Sequence, residues 1–289
     1  MADQTSNSQS GCRKVKTYQK TLAVILCSIA TLTMSLSVSA QQSMLPHELR
    51  TTKFTVSDVD ATVAFYVDLV GMEEVGRFAP SGGSLIEPFM GFGDGVMRIG
   101  LLGFAEVEDI EKTPHPVSVV MIPDLDAVAA RMEGTKHSLN IMSIDVGNGN
   151  SIRIGFTTDP SGNTIELVEI KDAPPQVSGA RLIVDDRAAV EEFFVRIFDL
   201  TPGRRIVTDD FDEVFFDFGD GKFVALYEPK GEAALPKSKD PVVAIYSSEF
   251  DEVLKRVKAG GLGLTEYGNF MFLANDPSGN VVEVLRRRD

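Results

Sequence analysis

A chain of 289 residues that is 43% apolar and 24% charged has enough hydrophobic material for two ordinary domains, which excludes disorder as its general state. Its net charge of -14 argues against nucleic acid and anionic membrane surfaces as partners, because both would repel the bulk of the protein. The run Arg286-Arg287-Arg288 has the opposite sign, but three charges after a strand read as a solvated end.

The first forty residues form a class of their own. Arg13, Lys14, Lys16 and Lys20 precede an uncharged stretch from Thr21 to Ala40 whose densest apolar part is Leu22 to Leu36, followed by Val38-Ser39-Ala40. This is the basic, apolar and small-residue order of a secretory signal cleaved after Ala40, with an uncleaved anchor as the alternative. The reading makes the protein an export, periplasmic or secreted, with no stable membrane association after cleavage. Both cysteines, Cys12 and Cys27, fall in the removed part, so disulfides and thiolate chemistry are excluded from the rest.

From Arg50 the chain alternates as a strand to Ser57, and Asp58 then caps a helix whose stripe is Val63, Val67 and Val70, ended by Gly71. Three more strands follow to about Leu102, the last pair joined at Phe92-Gly93-Asp94-Gly95. The order then restarts: a strand over Pro116 to Ile122, a helix opened by Asp124, and strands near Ile141 to Val146, Ser151 to Phe156 and Thr164 to Glu169. The first two of these are joined at Gly147-Asn148-Gly149-Asn150. Lys171-Asp172-Ala173-Pro174-Pro175-Gln176 reads as a stiff linker. Beyond it, Asp186 to Phe198 is a helix with Val190, Phe193, Phe194, Ile197 and Phe198 on one face.

The second half retraces the first. Asp186 to Phe198 answers Asp58 to Val70 at an offset of 128, Phe218-Gly219-Asp220-Gly221 answers Phe92-Gly93-Asp94-Gly95 at 126, and Arg256 answers Arg131 at 125. Asp276-Pro277-Ser278-Gly279-Asn280, with its strand Val281 to Leu285, answers Asp159-Pro160-Ser161-Gly162-Asn163 with Thr164 to Val168 at 117. In both copies the alternation sets a carboxylate, Glu166 or Glu283, on the face opposite its apolar neighbours. A shrinking offset in fixed order implies a duplicated unit with trimmed loops. The predicted class is α+β: two tandem domains, 45–171 and 178–289 with linker 172–177, each of paired βαβββ modules forming a curled mixed sheet with helices on one side.

This pattern resembles the vicinal oxygen chelate superfamily, which includes glyoxalase I, extradiol dioxygenases, and fosfomycin- and bleomycin-resistance proteins. The resemblance rests on Asp58-Val59-Asp60-Ala61-Thr62-Val63-Ala64-Phe65-Tyr66 leading to Gly71-Met72, and on the duplicated Asp-Pro-Ser-Gly-Asn hairpin with its strand Glu. It implies a divalent metal held in the curled sheet by His, Gln or Glu on the first and last strands of each module. Carried over one by one, those positions fall on Thr51, Gly100, Val117, Glu166, Gly179, Ala225, Pro241 and Glu283. Only Glu166 and Glu283 are ligand types, too few for a catalytic ion whether modules pair within a half or across halves. In the crossed pairing Thr51, Gly100, Pro241 and Glu283 share one cavity, and Val117, Glu166, Gly179 and Ala225 the other. Of the three histidines, His115 is two residues before a ligand position and on its strand face, while His47 reads as preceding the first strand and His137 as lying in a loop.

Alternation puts Lys53 beside Thr51, Arg98 beside Gly100, Arg181 beside Gly179, and Tyr227 beside Ala225. With Glu166 and Glu283 they are the candidate ligand-binding residues, able to hold a carboxylated or phenolic small molecule without a metal. The two glutamates also read as residues merely satisfied by neighbouring strands. The leading expectation is an exported binding protein for a small organic molecule, with no cofactor. The alternatives are a lyase or dioxygenase of the glyoxalase or extradiol type, which would need a divalent metal, and a structural or assembly module.

Overall fold

The computed structural model describes residues 45–105, 116–147, 150–231 and 237–288. Four modules follow one another. The first comprises β1 (His47–Thr55), helix α1 (Val59–Ala64, continued by a π-helical turn Phe65–Val70), β2 (Glu73–Phe78), β3 (Leu85–Gly91) and β4 (Arg98–Phe104). The second comprises β5 (Val117–Ile122), α2 (Leu125–Met132), β6 (Asn140–Gly147), β7 (Asn150–Thr158) and β8 (Thr164–Glu169). The third is β9 (Gln176–Ile183), α3 (Arg187–Phe198), β10 (Arg205–Val207), β11 (Phe211–Asp217) and β12 (Phe223–Pro229). The fourth is β13 (Pro241–Ser247), α4 (Phe250–Ala259), β14 (Leu264–Tyr267), β15 (Met271–Asn275) and β16 (Val281–Arg286). The predicted export signal, both cysteines and His115 lie outside the described residues.

Local chemistry sets the helix starts. Asp58, Asp124 and Asp186 each stand in extended backbone and accept a hydrogen bond from the amide three residues on, Ala61, Ala127 and Ala189. This satisfies an amide that the helix itself leaves unpaired. Gly71 closes the first helix at φ 89°, in the left-handed region where a side chain is disfavoured.

Two eight-stranded sheets result, in the orders β14-β15-β16-β13-β1-β4-β3-β2 and β10-β11-β12-β9-β5-β8-β7-β6. Curled mixed sheets of paired modules are as expected, but the partners are crossed. The first module pairs with the fourth through β1 and β13, and the second with the third through β5 and β9, both antiparallel. Of the two pairings left open by the sequence, the one across halves is adopted, so neither half closes a sheet of its own.

Within each half the joint is made by helices instead. α1 packs on α2 through its π-helical turn, and α3 on α4. Arg131 on α2 donates from Nε to Leu69 O at 2.9 Å and from Nη2 to Val70 O at 3.0 Å, and its repeat Arg256 on α4 donates to Ile197 O at 3.1 Å. Each arginine satisfies carbonyls at the end of its neighbour's helix. The Asp-Pro-Ser-Gly-Asn hairpins are further clamps. Ser161 Oγ accepts from Ser57 N at 3.0 Å, and Ser278 Oγ from Asp185 N at 2.9 Å. One apolar cluster, with Phe54, Ile99, Val120, Leu182 and Val284 from the strands and Tyr66, Val128, Phe194 and Val253 from the helices, joins both sheets to all four helices. The opposite, concave face of each sheet is where the charged groups lie.

Candidate functional site

On the first sheet, β1 pairs with β4 so that Lys53 lies beside Gly100, and β3 pairs with β4 so that Phe89 faces Gly100. Alternation then brings Glu87, two residues before Phe89, onto the same concave face. Leu273 opposite Glu283 carries that face across to β15 and β16. Lys53 Nζ lies 2.8 Å from Glu283 Oε2 and 2.9 Å from Glu87 Oε1. All three are buried, with exposures of 5%, 7% and 5% for Lys53, Glu283 and Glu87. The absence of a side chain at Gly100 makes this possible, since a Cβ there would sit 2.5 Å from Glu87 Oε1. Burial opposes the charge on Lys53, but Glu283 and Glu87 outweigh it and hold the ammonium above its ordinary value. Burial also pushes the Glu87 carboxyl up, and Lys53 pulls it only part of the way back. Tyr246 borders the cluster, its hydroxyl pushed up by burial and by Glu283, with Arg50 4.4 Å above its ring.

The second sheet repeats this arrangement with other atoms. Arg181 Nε donates to Glu213 Oε1 at 2.7 Å, and Nη1 donates to Glu166 Oε2. Arg181, Glu213 and Glu166 answer Lys53, Glu87 and Glu283 at offsets of 128, 126 and 117, those of the sequence repeat. An acid, a base and an acid were thus duplicated together. Here they are sealed, with exposures of 1%, 0% and 0% for Arg181, Glu213 and Glu166. Phe211, Phe223, Tyr227, Phe156, Ile154 and Met121 are among the side chains filling that concavity. Burial pushes the Glu213 carboxyl up to about 7 against the pull of Arg181, and raises Glu166 for the same reason.

Of the candidates read from the sequence, the structure brings Lys53 together with Glu283 and Arg181 with Glu166, each pair joining one half of the chain to the other. Arg98 lies on the first concave face beside the Lys53 cluster but outside it. Tyr227 is buried in the second, its ring 5.2 Å from that of Phe211. His47 donates or accepts at Ser247 Oγ, 3.0 Å away, and meets the Phe198 ring edge-on; His137 reaches Thr158 O at 3.2 Å. Neither joins a concave cluster. Glu87 and Glu213 were missed, although a signal was present: each stands five residues before a copy of Phe-Gly-Asp-Gly.

Among the described residues, no three His, Cys, Asp or Glu side chains are grouped to hold a metal ion. In each concavity the carboxylates converge on a side-chain cation rather than on a point about 2.1 Å from several donors, the arrangement a divalent ion requires. The residues present do not fit the metal that the resemblance implies.

Residues 48–167 match the Glyoxalase/Bleomycin resistance protein/Dioxygenase superfamily. Among solved structures, glyoxalase I from Zea mays is similar at 19% identity and a TM-score of 0.70, covering 83% of this chain and 92% of that one. A point variant of that enzyme gives 0.71 at the same identity and coverage. A proposed dioxygenase from Bacillus subtilis gives 0.60 at 16% identity, covering 86% of this chain and 87% of that one. At these identities the likeness is one of fold. No curated protein sequence matches the chain.

Proposed function

We propose, from the premise that residues 48–167 belong to the Glyoxalase/Bleomycin resistance protein/Dioxygenase superfamily, that this chain is an exported protein binding a small organic molecule on its first concave face without a metal. The observation that carries this reading is the Lys53 ammonium between Glu87 and Glu283. The carboxylates that could have served a cation are neutralised by the protein itself, and the concavity keeps a compact polar floor. Its walls remain available: Phe89, Tyr246, Met271 and Leu273 are half-buried rather than packed away, a mostly apolar lining around a few polar groups, as in small-molecule sites generally. The second concavity offers nothing comparable, since its own aromatic side chains fill it.

Export is the reading of residues 1–40, and among the described residues no helix is long and apolar enough to cross a membrane. The competing reading, a metal-dependent lyase or dioxygenase, would require Lys53 to leave its two carboxylates. Metal analysis of the chain after loading with zinc, iron, manganese and nickel in turn separates the two. The expected result is no stoichiometric metal after desalting; about one ion per chain would restore the enzyme.

A further inference from the structure

The first concave face differs from its repeat in one more respect, the state of its cations. Lys53 is committed to two carboxylates, and Arg50 to Glu48 at 2.7 Å and to the face of Tyr246. Arg98, half-buried on the same face and paired in register with Thr51, has no hydrogen-bond or ion-pair partner at its buried Nε among the described residues. In a protein of net charge -14, an arginine with a buried nitrogen left unpaired among the described residues is a costly arrangement unless a further group completes it.

Elsewhere on the same face stand aromatic and aliphatic side chains. Phe89 lies opposite Gly100, Leu273 opposite Glu283, and Met271 opposite Leu285, while Tyr246 borders the Lys53 cluster. At the two outer arms of the sheet, Phe78 is opposite Glu87 and Tyr267 opposite Met271, so both rings project from the concave side, 49% and 44% exposed. Half-buried apolar walls, with an exposed aromatic ring on each outer strand, suit a hydrophobic body. Phosphate esters and sugars would leave that lining unmatched, and a cationic ligand would meet Arg98 with like charge.

We infer that the first concave face takes an aromatic carboxylate, its ring against the half-buried apolar walls and its carboxylate on the Arg98 guanidinium. This rests on the binding reading above and names the ligand class for it. The Lys53 cluster serves as a neutralised floor and does not itself hold the anion.

Calorimetric titration of the full chain with 2-naphthoate and with its methyl ester tests the inference. Wild type is expected to bind the acid about tenfold or more tightly than the ester, the margin of a charge-assisted hydrogen bond. In Arg98→Gln the acid should fall to the affinity of the ester while the ester is unchanged. Arg98→Lys should recover part of the difference as a point charge without the fork. Unchanged thermal unfolding of both variants shows that the fold is intact. Equal binding of acid and ester by wild type, or an Arg98→Gln variant that keeps the preference, overturns the assignment of the anion to Arg98 and leaves the concave face as a binding site. Failure of both probes to bind overturns the site as well.

Discussion

The two concave faces began as one design and now differ in what they do with the same three charges. In the second, Arg181 lies between Glu166 and Glu213 beneath a plug of aromatic side chains, almost fully buried. In the first, Lys53 lies between Glu87 and Glu283 at the floor of a face whose walls are half-buried and whose arms end in exposed rings. The duplicated unit therefore separates two roles that a single copy would have to combine. One copy is filled and holds the second and third modules together, and the other keeps walls that are only half-buried. The exchange of Arg for Lys fits that division. A guanidinium can bond two carboxylates at once within a rigid fork, whereas an ammonium is a compact point charge.

The largest effect that would break this comparison lies at the sealed cluster. Arg181→Met leaves two carboxylates buried without a counter-charge and is expected to cost about 3 to 5 kcal/mol of stability, read from the midpoint of chemical denaturation. Lys53→Met, whose carboxylates keep a little access to water, should cost less; equal losses would mean that the faces do not differ as described. Next come the glycines beneath each cluster. A Cβ at position 179 would meet Phe223 O at 2.7 Å and the Phe223 ring at 2.8 Å, while one at position 100 would meet the movable end of Glu87. Gly179→Ala is expected to cost about 1 to 3 kcal/mol as an overpacked site and Gly100→Ala less, the latter pushing Glu87 off Lys53. A reversed order in thermal unfolding would count against the sealed second face.

The smallest effect is a slope with pH. Glu213 titrates at about 7 in the folded protein against an ordinary 4.5, so the folded state holds this proton more tightly than the unfolded one. Its favourable contribution is complete below about 4.5 and is lost as pH rises through about 7. Denaturation of wild type and Glu213→Gln between pH 5 and 8 should show wild type losing stability relative to the variant, and parallel curves would dismiss the shift.

Much of this architecture was legible in the sequence because its signals are local. Asp58, Asp124 and Asp186 announce helix starts by a cap that involves only the next three residues, and Asp159 and Asp276 announce hairpins in the same way. Strand parity put Lys53 on the face of Thr51, Arg98 on that of Gly100 and Arg181 on that of Gly179; the pairing of β1 with β4 then sets Lys53 beside Gly100. What parity could not supply was the partner of each sheet edge. A strand sequence encodes which face is polar but not which distant strand will lie beside it, so the crossed pairing that joins Lys53 to Glu283 across 230 positions remained one of two arrangements. Glu87 and Glu213 escaped because the ligand positions that the resemblance implies lie on first and last strands, whereas both stand on the third strand of their modules. Their equal distance from Phe-Gly-Asp-Gly is a trace of duplication that has meaning only once the cation they serve is known.

The crossed pairing has a topological consequence. Going round the molecule, the first module meets the fourth along a sheet, the fourth meets the third through helices, the third meets the second along a sheet, and the second returns to the first through helices. The circuit closes where Arg287 donates to Leu45 O at 2.7 Å, linking the tail of the last strand to the lead of the first. Such a loop has no interior or terminal unit: every module has two neighbours, and the peptide joining the halves at Pro174-Pro175 is one of several bonds between them rather than their hinge.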